Sequence, residues 1–182
     1  MHDDWLFLHQ ICVAYLSILI SLSAKIMSDE LILEVAKAGL LHDVGMVEID
    51  PIQLKKPRHK QSVNERRVFE LHPVKSFDIL KEFSLSDEAL LGILQHHESI
   101  LGIGYPKGLK AHKVSYIARI IQTADEFAFI WKHSLSSESE KPVNQVFDRL
   151  RKLHFDKLDP FALAHLYYSF QKAPDFSFVK WA

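Results

Sequence analysis

A chain of 182 residues, 48% of them hydrophobic, has the length and apolar content of one self-sufficient core. Its formal net charge of −1 excludes the broad basic footprint of a duplex-binding protein, so any nucleotide ligand has to be held locally. A single cysteine, Cys12, excludes an intramolecular disulfide framework; together with an N-terminus, Met1-His2-Asp3-Asp4, that lacks the positive segment of an export signal, it points to a cytoplasmic protein.

Taken in order, the chain reads as helices separated by punctuation, with no sustained period-2 stretch, so the expected fold class is all-α, a helical bundle. The first helix runs from about Asp4 to Met27. Its apolar run Ile11 to Leu22 is broken by Ser17 and Ser21 and followed by Lys25, short of the roughly 20 residues of a spanning helix, which predicts burial and no membrane insertion. Ser28 caps a second helix, with Asp29 and Glu30 in its first turn, that ends near Gly45. Asp50-Pro51 starts a short turn segment, and Lys55 to Lys60 forms a basic loop that, with Arg66 and Arg67 beyond it, reads first as a solvated surface and second as a phosphate contact. Ser62-Val63-Asn64-Glu65 is a capping box opening a helix that carries His72 until Pro73 interrupts it, with a further helical piece to Phe83.

Ser86-Asp87-Glu88 opens the next helix, which leads into His96-His97-Glu98. Residues 99 to 112, with Gly102, Gly104, Pro106 and Gly108, form the principal irregular segment. A helix from Lys113 to about His133 carries Ile117, Ile120, Ile121, Ala124 and Ala128 on one side, and Asp125 falls close to that apolar face, where a carboxylate needs a partner. The polar stretch 134 to 141 reads as a linker, so the division expected is a core over 1–133, the linker, and C-terminal helices over 142–182 packing on the same domain. Val146, Leu150, Leu163, Leu166 and Phe170 lie at helical spacing there and read as packing. The tail Pro174 to Ala182, with Phe176, Phe178, Val179 and Trp181, is apolar enough to pack back or to meet a partner.

Seven residues form the chemical constellation: His9, His42, Asp43, His72, His96, His97 and Asp125, each on or at the end of an expected helix. A lone histidine on a helix is more often a packed or surface residue than a ligand. Two adjacent pairs at helix ends, His42-Asp43 before Gly45 and His96-His97 before a Gly/Pro loop, with an isolated aspartate downstream, outweigh that default. Imidazoles and carboxylates without a thiolate suit Fe, Mn or catalytic Zn, and seven ligands suit two such ions bridged by an aspartate. The remaining histidines lack pair or loop context.

These residues also resemble a known family. His42-Asp43-Val44-Gly45, His72-Pro73, His96-His97-Glu98 with Gly104-Tyr105-Pro106, Ala118-Arg119-Ile120 and Ala124-Asp125 are similar to the motifs of the HD-GYP branch of HD-domain metal-dependent phosphohydrolases, over about residues 9 to 130. The resemblance implies an HD-type helical bundle with a binuclear or trinuclear centre, and hydrolysis of cyclic di-GMP to pGpG or GMP by a hydroxide bridging two metals. It gives His42, Asp43 and Asp125 catalytic roles through that hydroxide, makes Asp43 the bridge, and lets Gly104, Tyr105 and Pro106 shape the mouth of the site. Glu98 reads as a supporting group.

Four departures qualify the resemblance. Met46 stands where the family has a phosphate-facing Lys, Leu101 where it has an Asp, and Ser134 where direct count puts its Arg, leaving Lys132 or His133 as substitutes. Trp5 stands where trinuclear members have a Glu, so two metals are expected. Two charged contacts fewer, at roughly 1.5 to 3 kcal/mol each, keep two alternatives in view: a regulatory module that binds cyclic di-GMP or a protein partner with impaired turnover, and a hydrolase of another phosphoester. Such domains are commonly joined to sensor domains, and here the first residues run straight into a ligand helix, which suggests a fragment or a signal arriving from a separate subunit.

Overall fold

A computed structural model describes residues 3–54, 56–135, 143–154 and 157–172. Among these residues all regular structure is helical apart from one isolated bridge between Leu101 and Lys110, as the lack of period-2 patterning predicts. The chain begins with α1 (Asp3–Ala24) and α2 (Asp29–Leu41), then α3 (Pro51–Leu54), α4 (Val63–Phe69), α5 (His72–Leu80) and α6 (Asp87–Gln95), and closes with α7 (Tyr116–Leu135), α8 (Val143–His154) and α9 (Pro160–Lys172).

The centre of the molecule is α7. Its Ile117, Ile120, Ile121, Ala124 and Ala128 are buried, on the side the spacing predicts. They join Val13, Leu16 and Ile20 of α1, Ala89 and Ile93 of α6, Phe147 and Leu150 of α8, and Leu163 and Leu166 of α9 in one hydrophobic cluster. Arg119 Nη1 donates to Asp159 Oδ2 at 2.8 Å, while Asp159 Oδ1 accepts from the N–H groups of Phe161 and Ala162, so one aspartate caps α9 and fastens it to α7.

Several expectations about boundaries are corrected. Lys25 takes a positive φ of 54° directly after α1, ending that helix before the expected Met27. Leu6–Ala24, 19 residues with a mean hydropathy of 1.9, is long and apolar enough to cross a bilayer by length and composition, against the expectation that the run falls short; its Val13, Leu16 and Ile20 are core residues here. His72 and Pro73 open α5 instead of ending the helix before it, because a proline in the first turn has no N–H to lose. The last long helix starts at Tyr116, after a 3-10 turn at Ala111–Lys113, and continues through Ser134 to Leu135. The side chains of Trp5 and Ser134, residues 136–141 of the expected linker, residue 142 after it, and the tail Pro174–Ala182 lie outside the described residues.

Gly45 does not stop a helix. After α2 ends at Leu41 the chain enters a 3-10 turn, Val44–Glu48, packed on α5. A Cβ at Gly45 would collide with the backbone of His72 and Ser76, and the Gly45 N–H donates to Ser76 Oγ at 2.8 Å. The glycine therefore lets the turn after His42-Asp43 lie against the helix that carries His72.

Candidate metal centre

Five helices deliver the seven residues of the constellation. His9 comes from α1, His42 caps the C-terminus of α2 and Asp43 follows it, His72 opens α5, His96 caps α6 and His97 follows it, and Asp125 sits on α7. The structure brings all seven together in two groups: Asp43, His72, His96 and His97, and His9, His42 and Asp125. Within each group one ligand atom per residue lies within 4.8 Å of the others. Asp43 stands between the groups, with Oδ1 at 3.2 Å from His72 Nε2 and Oδ2 at 3.4 Å from His42 Nε2. His9 Nε2 meets Asp125 Oδ1 at 2.9 Å.

Three of the imidazoles are oriented by the same local device. The Nδ1 of His42 donates to the Gly39 carbonyl at 2.8 Å, that of His72 to Phe69 at 2.7 Å, and that of His96 to Ile93 at 2.6 Å. Each acceptor lies three residues earlier, where the chain's own helical turn leaves a carbonyl within reach. With the proton fixed on Nδ1, each Nε2 presents a lone pair to the interior.

The donor set fits divalent metal ions. His72 Nε2 and His96 Nε2 face each other at 3.2 Å, and His42 Nε2 and Asp43 Oδ1 are buried with no hydrogen-bond partner among the described residues. Facing ring nitrogens and unpartnered buried polar atoms are an arrangement that bound cations would satisfy. Burial pushes His96 and His97 below the ordinary imidazole range, His97 well below it, which keeps both neutral. Burial would raise the carboxyl of Asp43, but His42 and His72 outweigh it and hold that group well below its usual value; at Asp125 the hydrogen bond from His9 does the same more mildly. Neutral imidazoles and ionised carboxylates are the protonation states that metal binding demands. His42 differs: burial lowers it, yet Asp43 and Asp125 prevail and raise it to about 9 in the metal-free protein.

Glu98 anchors the irregular segment. Its buried carboxylate accepts from the N–H groups of Lys107 at 2.7 Å and Leu109 at 2.8 Å, and its carbonyl accepts from Gln122 of α7. Gly104 lies so close to the His97 carbonyl and Ser99 N–H that a Cβ has no room, and Tyr105 N–H donates to the same His97 carbonyl at 3.1 Å. The Tyr105 ring thereby rests 4.7 Å from the His97 ring at 35°. Gln95 Oε1 accepts from Ser115 N–H at 2.6 Å and ties the end of α6 to the start of α7.

A cavity of about 520 Å³ opens beside His97, lined by Gly104, Tyr105, His59, Arg66, Glu70, Glu126 and Lys157 among others. Lys132 is not part of this lining, and burial lowers its ammonium group. Met46 is 7% exposed and turned into the interior, so the position offers the cavity no charge. Leu101 is half exposed at the foot of the loop, bridged to Lys110. Arg66, which the sequence offers first as solvated surface and second as a phosphate contact, lines the cavity; sequence reasoning missed Lys157 there, and missed the anchoring by Ser76, Gln95 and Gln122. The signal available was weak, because these groups are separated in the chain and individually resemble ordinary surface or capping residues.

Comparison with known proteins agrees with this geometry. The HD-domain family profile matches residues 15–161. A cyclic di-GMP phosphodiesterase of Pseudomonas aeruginosa is 32% identical over 127 residues, covering 69% of this chain and 30% of the relative. A 3′3′-cGAMP-specific phosphodiesterase of Vibrio cholerae is 29% identical over 143 residues, covering 76% of this chain and 30% of the relative. This chain thus spans about a third of the length of the curated relatives it matches. Among solved structures, an HDG"Y"P protein from Bdellovibrio bacteriovorus superposes with a TM-score of 0.70 at 23% identity, over 90% of this chain and 51% of that one, which shows a shared fold. With a family match across most of its length and the paired His-Asp and His-His ends meeting in one buried cluster, the chain belongs to the HD-domain family.

Proposed function

We propose that this chain is the hydrolytic module of a cytoplasmic metal-dependent phosphodiesterase of HD-GYP type, acting on cyclic di-GMP or a closely related cyclic dinucleotide. The observation that carries the proposal is the position of Asp43, whose two oxygens face two separate histidine groups beside a cavity large enough for a nucleotide. Relatives named for cyclic di-GMP and 3′3′-cGAMP cleavage support the substrate class.

In this reading Asp43, His72, His96 and His97 would hold one ion and His9, His42 and Asp125 a second, with Asp43 available to both. Fe or Mn suits the set best, and Zn is compatible with it. Two ions bound there would supply Lewis acidity and an activated water for in-line displacement at phosphorus. The chain's own residues do the rest. Nδ1–carbonyl hydrogen bonds fix His42, His72 and His96, Glu98 holds the loop that closes on the site, and Tyr105 gives a flat aromatic face at its mouth.

Met46 favours one competing reading, a module that binds a cyclic dinucleotide with impaired turnover, because no cation replaces the family's Lys at that buried position. Incubation of metal-loaded protein with cyclic di-GMP separates the two. Appearance of linear pGpG or GMP, lost in Asp43→Ala, supports hydrolysis, whereas binding of a hydrolysis-resistant analogue with no product supports the regulatory reading.

A further inference from the structure

The cavity beside His97 contains cations that the resemblance does not supply. Arg66 enters it from α4, His59 from the 3-10 turn Arg58–Lys60, and Lys157 from the connection between α8 and α9. Two positive groups far apart in the chain, Arg66 and Lys157, thus line one cavity, with His59 also in its lining. Lys157 is half-buried, and its carbonyl accepts from Ile100 N–H at 3.3 Å, which holds this connection against the loop that Glu98 anchors. Glu98 is already committed to Lys107 and Leu109 N–H groups.

Two carboxylates, Glu70 and Glu126, line the same cavity. The wall is therefore not a diffuse positive field, and a phosphate can settle only where a cation meets it directly. A cyclic dinucleotide carries two phosphodiesters. When one lies at the histidine cluster, the other extends into the adjoining space, where binding energy from a non-reacting part of the substrate positions the reacting part.

Resting on the phosphodiesterase reading, we propose that Arg66 and Lys157 bind the non-reacting phosphodiester of the substrate and so make the site select cyclic dinucleotides over small phosphodiesters. They are positioning and specificity residues, in place of the cations missing at Met46 and Ser134.

The test uses metal-loaded Arg66→Ala, Lys157→Ala and Arg66→Lys variants. Three quantities are read: metal content, affinity for a phosphorothioate analogue of cyclic di-GMP, and kcat/KM for bis(p-nitrophenyl) phosphate. Each alanine variant is expected to weaken analogue binding by about 10-fold or more, with Arg66→Lys intermediate because it keeps the charge and loses the planar fork. Metal content and small-substrate turnover stay within about twofold of wild type, since neither depends on the remote phosphate. Unchanged analogue affinity in both alanine variants overturns the inference, as does an equal loss of activity on both substrates. A wild-type protein that binds no cyclic dinucleotide fails the underlying phosphodiesterase reading itself; wild-type binding with no effect in the variants fails this inference alone.

Discussion

His72 and His96 face each other Nε2 to Nε2 at 3.2 Å, with both Nδ1 atoms already donating to backbone carbonyls. Two imidazoles in this arrangement repel unless a positive centre lies between them. Nitrogens bound to one ion at about 2.1 Å each sit about 3 Å apart, which is the spacing found. His96→Ala should therefore leave the helical content intact while lowering bound transition metal from about two equivalents to about one. Circular dichroism and elemental analysis on the same sample check both halves.

The titration directions give the metal-free protein an unusual pH dependence. His42 is raised to about 9, so its contribution to stability is complete below its ordinary value of 6.5 and is lost as pH climbs through 9. His96 and His97 are lowered, so theirs is present above 6.5 and is lost as pH falls below it. The metal-free protein should thus melt highest near pH 6.5 and lower on either side. Metal uptake at pH 7.5 must expel the His42 proton, a release of about one proton that fades above pH 9. Thermal melts across pH, and calorimetry in two buffers of different ionisation enthalpy, read these effects.

Glu98 separates support of the loop from metal binding. Its replacement by alanine leaves the part-buried N–H groups of Lys107 and Leu109 without their acceptor, at a cost of about 1 to 3 kcal/mol, or roughly 3 to 10 °C in Tm. Metal content should persist, because the carboxylate faces the loop backbone and belongs to neither ligand group. Cleavage of cyclic di-GMP should fall with the displaced Tyr105. Differential scanning calorimetry beside elemental analysis and a product assay distinguishes this pattern from general unfolding.

The helical class and the seven clustered residues were legible because adjacent titratable pairs at helix ends, ahead of glycine, are unusual in a merely packed protein. Gly45 was misread because sequence cannot distinguish a glycine needed for a left-handed turn from one needed for close approach; here Ser76 and the His72 backbone lie against it. Pro73 was misread for a related reason: proline breaks a helix from inside and starts one from its first turn, and only the chain path says which. Arg66 and Lys157 were invisible as a pair because their meeting depends on how α4 and the α8–α9 connection fold around the cavity.

The metal count of freshly purified protein bears most directly on the two-group arrangement around Asp43. Elemental analysis after anaerobic preparation should find about two equivalents of Fe, Mn or Zn per chain, and Asp43→Ala should abolish that content, because Asp43 faces both groups. Wild-type protein with no bound transition metal under either aerobic or anaerobic preparation, or an Asp43→Ala variant that retains both equivalents, would contradict it.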